Sequence, residues 1–299
     1  MTEVIYGTTK DGLQAARVDT NTYCLKVGRN GPFISENYTS NRDIPEMTES
    51  DFFGHLGNVA DFDAFKAEME DIANHIAQRK ALGRKSIGSS TSTPWGKSQG
   101  ATVYAEGGLF KHHTAGHGGM KVYSKLNKLI PEPYRNDDGW YEEDCEMGKV
   151  MVSLPQFFTD REIRQATKTV INYYPDEYEK VTGIKLQPGQ SQKRDERVFK
   201  AAHAQDWVVI SAVGFTDEDG LERVRATASL GGEYSRYERG QQIDVETKTF
   251  VVPRDEYQTR SKFGFVIDES RHPEFVETPK EELREASEEE LNHLFGKKP

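Results

Sequence analysis

The residues of this chain that could carry out chemistry are concentrated between positions 110 and 146. A glycine-rich segment contains three histidines within six positions, His112, His113 and His117. About twenty-five residues later come three carboxylates and a thiol, at Glu142, Glu143, Asp144 and Cys145. Imidazole and carboxylate groups are the side chains that bind zinc and similar divalent ions in proteins. The segment therefore suggests either a metal centre or a structural turn.

A metal centre would combine the histidines with the carboxylates. His113 and His117 are four positions apart and would share one face of a helix, but the glycines at 116, 118 and 119 disfavour a helix there. On a turn, the two imidazoles could still chelate an ion, with Glu142, Glu143 or Asp144 as a third ligand and one position open for water. The activity would then be that of a metal-dependent hydrolase with His117 and Glu143 as catalytic residues.

The interpretation that the sequence favours is a structural turn with no cofactor, in a protein that is not an enzyme. Glycine adopts a positive φ at little cost, so a turn with histidines bonded to the backbone explains residues 116–119. Residues 142–144 would then lie in the first turn of a helix that begins near Trp140. Negative charge there is stabilised by the helix dipole, by about 0.3–1 kcal/mol per charge.

Motifs and composition exclude several classes of protein. The sequence has no Gly-x-Ser-x-Gly elbow, no Gly-x-x-x-x-Gly-Lys-Ser/Thr loop and no Gly-x-Gly-x-x-Gly fingerprint. Its net charge is −10, which argues against direct nucleic-acid binding. Two cysteines, Cys24 and Cys145, far apart in sequence, suit a reducing cytoplasm. No apolar run approaches the length of a membrane span, so we expect no membrane association.

The patterning predicts an α+β fold of small antiparallel sheets with packed helices, in two or three subdomains. Strands are expected at 4–6, 14–18 and 22–27, followed by an amphipathic helix at 61–82 with Asp61 as its N-cap. The first domain would span 1–82. Residues 83–93 are rich in Gly and Ser and poor in large apolar side chains, which is typical of a linker.

The second predicted domain spans 94–183 and carries the histidine and acidic segments. It should contain strands near 102–106, 109–114 and 119–123 and a helix that starts at the capping box Thr159/Glu162. The third, 190–299, should contain a helix at 192–204 and an antiparallel meander of strands at 207–215, 221–230 and 243–252. Two further capping boxes, Thr278/Glu281 and Ser287/Glu290, predict a helical acidic C-terminus.

Several motifs in the central region resemble an uncharacterised domain family of phage and plasmid proteins. They are Thr-Pro-Trp-Gly at 93–96, His-Thr-Ala-Gly-His-Gly-Gly at 113–119 and Gly-Trp-Tyr-Glu-Glu-Asp-Cys-Glu at 139–146. The resemblance covers about residues 92–182. The positions that match the family motifs are His117, Gly118, Gly119, Trp140, Tyr141, Glu142, Glu143 and Asp144. Met147 stands where the family usually has Trp, and the position of His113 often holds another residue, which weakens a His113–His117 metal pair.

The resemblance implies a mobile-element setting rather than a reaction. In that setting we expect an accessory protein that binds and inhibits a host defence complex, with no membrane involvement. An acidic surface favours a basic, nucleic-acid-handling partner through electrostatic steering. The segment 274–290 carries eight acids against two bases. Its expected binding residues are Glu281, Glu282, Glu285, Glu288, Glu289 and Glu290. The apolar stripe of the helix at 61–82 could also pack against a second copy of the chain, so a homo-oligomer is a further possibility.

Overall fold

The structure is a computed structural model that describes residues 2–39, 42–238 and 241–275. The chain forms two compact units, Met1–Lys193 and Arg194–Pro299. Both contain small antiparallel sheets with packed helices, so the predicted α+β class is confirmed. Among the described residues, no helix is both long and apolar enough to cross a membrane.

The first unit begins with a five-stranded antiparallel meander. Its strands, paired in sequence order, are β1 (Val4–Thr8), β2 (Gln14–Val18), β3 (Asn21–Gly28), β4 (Gly31–Asn37) and β5 (Gly54–Asn58). The strands predicted at 4–6, 14–18 and 22–27 are confirmed. Short turns at Asp11-Gly12 and Asn30-Gly31 join consecutive strands, as such dipeptides favour.

Helix α1 (Phe62–Leu82) covers this meander. Its N-terminus is fixed by Asp61, whose side chain accepts a hydrogen bond from the Ala64 N–H at 2.8 Å. Phe65 and Met69 are fully buried and pack against the sheet residues Ala16, Val18, Tyr23 and Ile34. The predicted N-cap is confirmed, and the apolar stripe of the helix covers the sheet within the same chain.

The second sheet of the first unit has the order β12-β11-β10-β9-β6. The strands from this part of the chain are β6 (Lys85–Ile87), β7 (Ser92–Thr93), β8 (Gly96–Lys97), β9 (Gly100–Ala105), β10 (Leu109–His113), β11 (Gly118–Val122) and β12 (Trp140–Glu142). Strand β6 lies inside the segment expected to be a linker. An edge strand needs only backbone pairing, here with β9, so the lack of large apolar residues did not prevent a strand.

Helices cover one face of this second sheet. They are α2 (Ser124–Asn127), α3 (Met147–Ser153), α4 (Asp160–Tyr173) and α5 (Pro175–Thr182). Leu109, Met120 and Tyr141 of the sheet are buried with Val150 of α3 and Val170 of α4. The predicted capping box is confirmed, with the Thr159 hydroxyl accepting from the Glu162 N–H and the Glu162 carboxylate accepting from the Thr159 N–H.

The prediction of a helix that begins near Trp140 is wrong. Trp140 and Tyr141 belong to β12, which pairs with β11, and the next helix begins only at Met147. Two observations explain the difference. Gly139 has a φ of +68°, which ends a turn and starts an extended segment. Aromatic residues also suit a half-buried strand, and Tyr141 is fully buried there. Glu142 therefore ends a strand, Glu143 and Asp144 follow it, and none of the three is in a helical first turn.

Helices α1 and α4 also pack against each other within the first unit. Arg161 of α4 forms ion pairs with Glu68 at 2.7 Å and Asp71 at 2.5 Å, and His75 Nδ1 lies 2.8 Å from the Thr159 hydroxyl. The segments predicted as domains 1–82 and 94–183 thus both lie in this unit. Where the domain boundaries fall remains a prediction.

The second unit contains the end of α6 (Gln192–Ala202), the strands β13 (Trp207–Thr216), β14 (Glu222–Leu230), β15 (Arg236–Glu238), β16 (Gln241–Ile243) and β17 (Thr247–Pro253), and α7 (Arg254–Gln258). Strands β13, β14 and β17 form the expected antiparallel sheet. Trp207, Phe250 and Phe265 lie in its core. The capping boxes at 278–290 and the six glutamates of the predicted binding segment lie outside the described residues.

Candidate metal centre

The register of the second sheet decides which chemical groups can meet. His113 of β10 pairs with Gly118 of β11, and His112 pairs with Gly119, which in turn pairs with Glu142 of β12. Residues directly opposite each other project from the same face, and successive residues alternate. His112 and Glu142 therefore share one face of the sheet, and His113 projects from the other.

Three of the predicted metal ligands come together at the ends of β11 and β12. His117, Glu142 and Asp144 each offer one ligand atom, and these atoms lie within 4.8 Å of one another. His117 and Asp144 are exposed, whereas Glu142 is partly buried. His113 is not in this cluster; its Nε2 lies 3.4 Å from the Thr102 hydroxyl. The structure therefore separates His113 from His117.

The Glu142 carboxylate is held in place but only half satisfied. Its Oε2 accepts hydrogen bonds from the N–H groups of Asp144 at 2.8 Å and Cys145 at 3.4 Å. Its Oε1 is buried and has no hydrogen-bond partner among the described residues. A buried carboxylate oxygen without a donor is costly, because it has lost its hydration and gained nothing in return. No group of the described residues therefore supplies a proton or a positive charge to this oxygen.

The three histidines have different environments. His112 is only 4 % exposed, and its Nδ1 lies 3.1 Å from the Ser98 hydroxyl. Burial, followed by the neighbouring His113, lowers the pKa of His112, so its imidazole is neutral near pH 7. The ring of exposed His117, in contrast, has no hydrogen-bond partner within the described part of the chain. Only the backbone of His117 is fixed, by hydrogen bonds with Thr114.

The glycines of this segment are required by close packing, and the predicted positive φ is wrong for them. Gly118 and Gly119 lie in β11, and neither they nor Gly116 have a positive φ. A Cβ on Gly118 would lie 2.7 Å from the carbonyl oxygen of His112 and 2.8 Å from Oε2 of Glu143. A Cβ on Gly119 would lie 2.2 Å from the ring of Trp95. The two glycines let the indole and a carboxylate approach the sheet backbone.

Glu143, the predicted catalytic carboxylate, points to a different surface from Glu142. Its Oε2 lies 3.5 Å from Lys111 Nζ, and both side chains are partly buried. Glu143 and Asp144 line a cleft of about 380 Å³. The rest of the cleft comes from α1, α3 and α4, including His75 and Arg161. Neither His75 nor Arg161 was predicted, since neither belongs to the histidine or acidic segment and only helix packing brings them here.

A family model described as "Domain of unknown function (DUF7007)" matches residues 88–204. The match includes the three clustered ligands, both close-packed glycines and Glu143. It confirms that the central region is an uncharacterised domain. No curated protein and no solved structure matches the chain.

Proposed function

We propose that His117, Glu142 and Asp144 bind a divalent metal ion and that the protein is a metal-dependent hydrolase. The observation that carries this proposal is the unpartnered, buried Oε1 of Glu142 inside a cluster of ligand-type side chains. A bound cation would give this oxygen the partner that it lacks. The imidazole of His117, which also has no partner among the described residues, would supply the nitrogen ligand.

The distances are compatible with a site that closes on an ion. Ligands placed about 2.1 Å from a tetrahedral zinc ion are separated from each other by roughly 3.4 Å. The three ligand atoms lie within 4.8 Å of one another before any ion is added. Because His117 and Asp144 are exposed, rotation of their side chains can supply the remaining contraction. Glu142 is already oriented by two backbone N–H groups, as metal-binding carboxylates usually are.

Three protein ligands leave one coordination position for water, and a bound divalent ion lowers the pKa of such a water toward 7. Glu143 points away from Glu142 but lines one cleft together with the proposed ligand Asp144, and there its carboxylate could accept a proton. Lys111 fixes one oxygen of Glu143 by their ion pair. We therefore assign His117, Glu142 and Asp144 to metal binding and Glu143 to proton transfer.

Metal titration tests the first half of the proposal. The full chain should bind one equivalent of Zn²⁺ or Mn²⁺ in calorimetry, and metal at a hundred times its Kd should stabilise the first unit by about 2.7 kcal/mol. Glu142→Gln and His117→Ala should each weaken binding at least tenfold. His113→Ala is the matched control, because His113 lies on the other face of the sheet. Equal losses in His113→Ala and His117→Ala would refute the site.

Glu143→Gln tests the second half. A panel of chromogenic phosphate and carboxylate esters first identifies a substrate of the wild type. The variant should bind metal as tightly as the wild type but should no longer hydrolyse that substrate. Metal binding without turnover on any substrate of the panel would reduce the site to a structural metal centre. Turnover that survives in both Glu142→Gln and metal-free protein would assign the activity elsewhere.

The role in counter-defence is a second proposal, supported by the mobile-element resemblance and by the acidic balance of the sequence. A protein of that kind would form a stable complex with a host defence protein through the glutamates at 281–290. The test compares wild type, His117→Ala and a charge-reversed 281–290 variant in bacteria with candidate defence systems, by phage plaquing and co-purification. Phage protection without a stable complex would favour the enzyme over the inhibitor.

A further inference from the structure

A second cleft in the first unit has the opposite electrostatic character. It has a volume of about 590 Å³, within the range of about 300–1,000 Å³ typical of small-molecule sites. Residues from α1, the β2–β3 turn and strands β6, β9 and β10 line it. Its basic lining residues are Arg79, Lys80, Arg84, Lys111 and His113, whereas Asp19 is the only acidic residue among the described ones that line it. In a chain with a net charge of −10, this concentration of cations is a local exception.

We propose that this cleft binds a small phosphate ester of about mononucleotide size. Some of its cations are already paired: Lys80 contacts Asp19 at 3.0 Å and Lys111 contacts Glu143 at 3.5 Å. Arg79 is exposed and makes no ion pair or hydrogen bond with any described residue. His113 makes only a long contact to Thr102, at 3.4 Å. Arg79 and His113 therefore retain donors for a bound anion.

Arg84 adds a donor for which the described residues offer no acceptor. Its terminal nitrogens donate to the Glu162 carboxylate and to the Phe157 carbonyl, but its Nε is buried and has no acceptor among the described residues. The guanidinium also lies over the Tyr104 ring, with Cζ at 4.1 Å from the centroid. Because Arg84 lines the cleft, a small shift of its side chain would let a bound oxyanion accept a hydrogen bond from this N–H.

The remaining lining explains why we infer an ester rather than a bare anion or a nucleic acid. Ile76 and Tyr104 provide apolar surface, and Thr20, Asn21, Ser86 and Thr102 provide hydroxyl and amide groups that can bond a sugar or base. A nucleic-acid strand would meet the negative field of the rest of the molecule over its whole length. A compact ligand with one phosphate would lie within the cleft, where the basic side chains are closest to its charge.

Calorimetry on the full chain with four ligands tests this inference. Adenosine monophosphate should bind, inorganic phosphate should bind more weakly, and adenosine and a short single-stranded oligonucleotide should not bind. Adenosine binding as tightly as its monophosphate would overturn phosphate recognition. Binding of the oligonucleotide without binding of the monophosphate would replace the proposal with a nucleic-acid site, and no binding of either would also overturn it.

Two variants and one control locate the site. Arg79→Gln and His113→Gln should each raise the Kd of the monophosphate about tenfold, the usual effect of removing one hydrogen bond to a charged group. Lys66→Gln is the control on the same helix, because Lys66 pairs with Asp63 and does not line the cleft. All three side chains are at least partly exposed, so each variant should fold normally. An unchanged melting temperature of each variant protein checks this. An unchanged Kd in both cleft variants would refute the location.

Discussion

Replacing Gly119 by alanine places a methyl group where the first unit has no room for one. The new Cβ would lie 2.2 Å from Cη2 of Trp95 and 2.4 Å from the carbonyl oxygen of Tyr141, whereas ordinary van der Waals contacts begin at 3.4 Å. The indole could rotate, but it also packs edge-on against Trp140 at 5.7 Å. The Tyr141 oxygen belongs to the backbone of β12 and cannot move without disturbing the pairing of β11 and β12.

We expect Gly119→Ala to lower the free energy of unfolding of the first unit by about 3 kcal/mol. Overpacking a close-packed site costs about 1–3 kcal/mol. The upper end applies here because the clash involves backbone as well as a side chain. Gly116→Ala is the matched control from the same motif. A Cβ at Gly116 meets nothing within 4 Å and its φ is not positive, so we expect a change within about 0.5 kcal/mol.

The assay must follow the first unit separately, because a chain with two compact units need not unfold in one step. Urea titration with pulsed hydrogen exchange and peptide mass spectrometry does this for residues 100–145. The double variant Trp95→Ala/Gly119→Ala separates the two clashes. The double variant should recover the part of the lost stability that comes from the clash with the indole. The coupling energy between positions 95 and 119 should be about 0.5–3 kcal/mol. Equal stability of Gly116→Ala and Gly119→Ala would refute the close-approach explanation.

Two further predictions concern the contact between α1 and α4. Thr159→Ala removes the N-cap of α4 and the contact of its hydroxyl with His75, so it should cost about 1–2 kcal/mol in the same urea assay; a cost below 0.3 kcal/mol would contradict it. Burial alone would raise the pKa of Glu162, but hydrogen bonds from Arg84 and the Thr159 N–H hold this pKa below the ordinary value of 4.5 for a glutamate. The ionised carboxylate therefore stabilises the fold above pH 4.5, and this contribution is lost as the pH falls through the lower folded pKa. Glu162→Gln should cost about 3 kcal/mol at pH 7, since it leaves Arg84 unpaired, and should flatten the loss of stability below pH 4.5; an unchanged acid profile would show that other carboxylates dominate.

Local sequence signals determined most of the elements. The Asp61 cap fixes the start of α1 because its carboxylate can bond an N–H three residues later, and the Thr159/Glu162 box does the same for α4. Short runs of strand-favouring residues, bounded by Asp-Gly and Asn-Gly turns, located the first three strands. These signals act within a few residues, so they are fully present in the sequence.

Short segments were decided by tertiary pairing. Trp140-Tyr141-Glu142 is too short for a period to separate helix from strand, and it became a strand because β11 offers it a paired edge and the core accepts Tyr141. Strand β6 likewise depends on pairing with β9. Propensity could not reveal either one, since the partner strand supplies the hydrogen bonds.

The candidate metal centre also depends partly on local sequence and partly on tertiary pairing. The sequence by itself brought histidines and carboxylates into one segment and so identified which residue types could bind a metal. Only the register of β10, β11 and β12 determined that His117, Glu142 and Asp144 meet while His113 projects from the other face. The close packing of Trp95 on Gly119, and the meeting of Arg79 on α1 with His113 on β10, join residues more than twenty positions apart. Such contacts depend on how whole elements pack, and no local pattern encodes that.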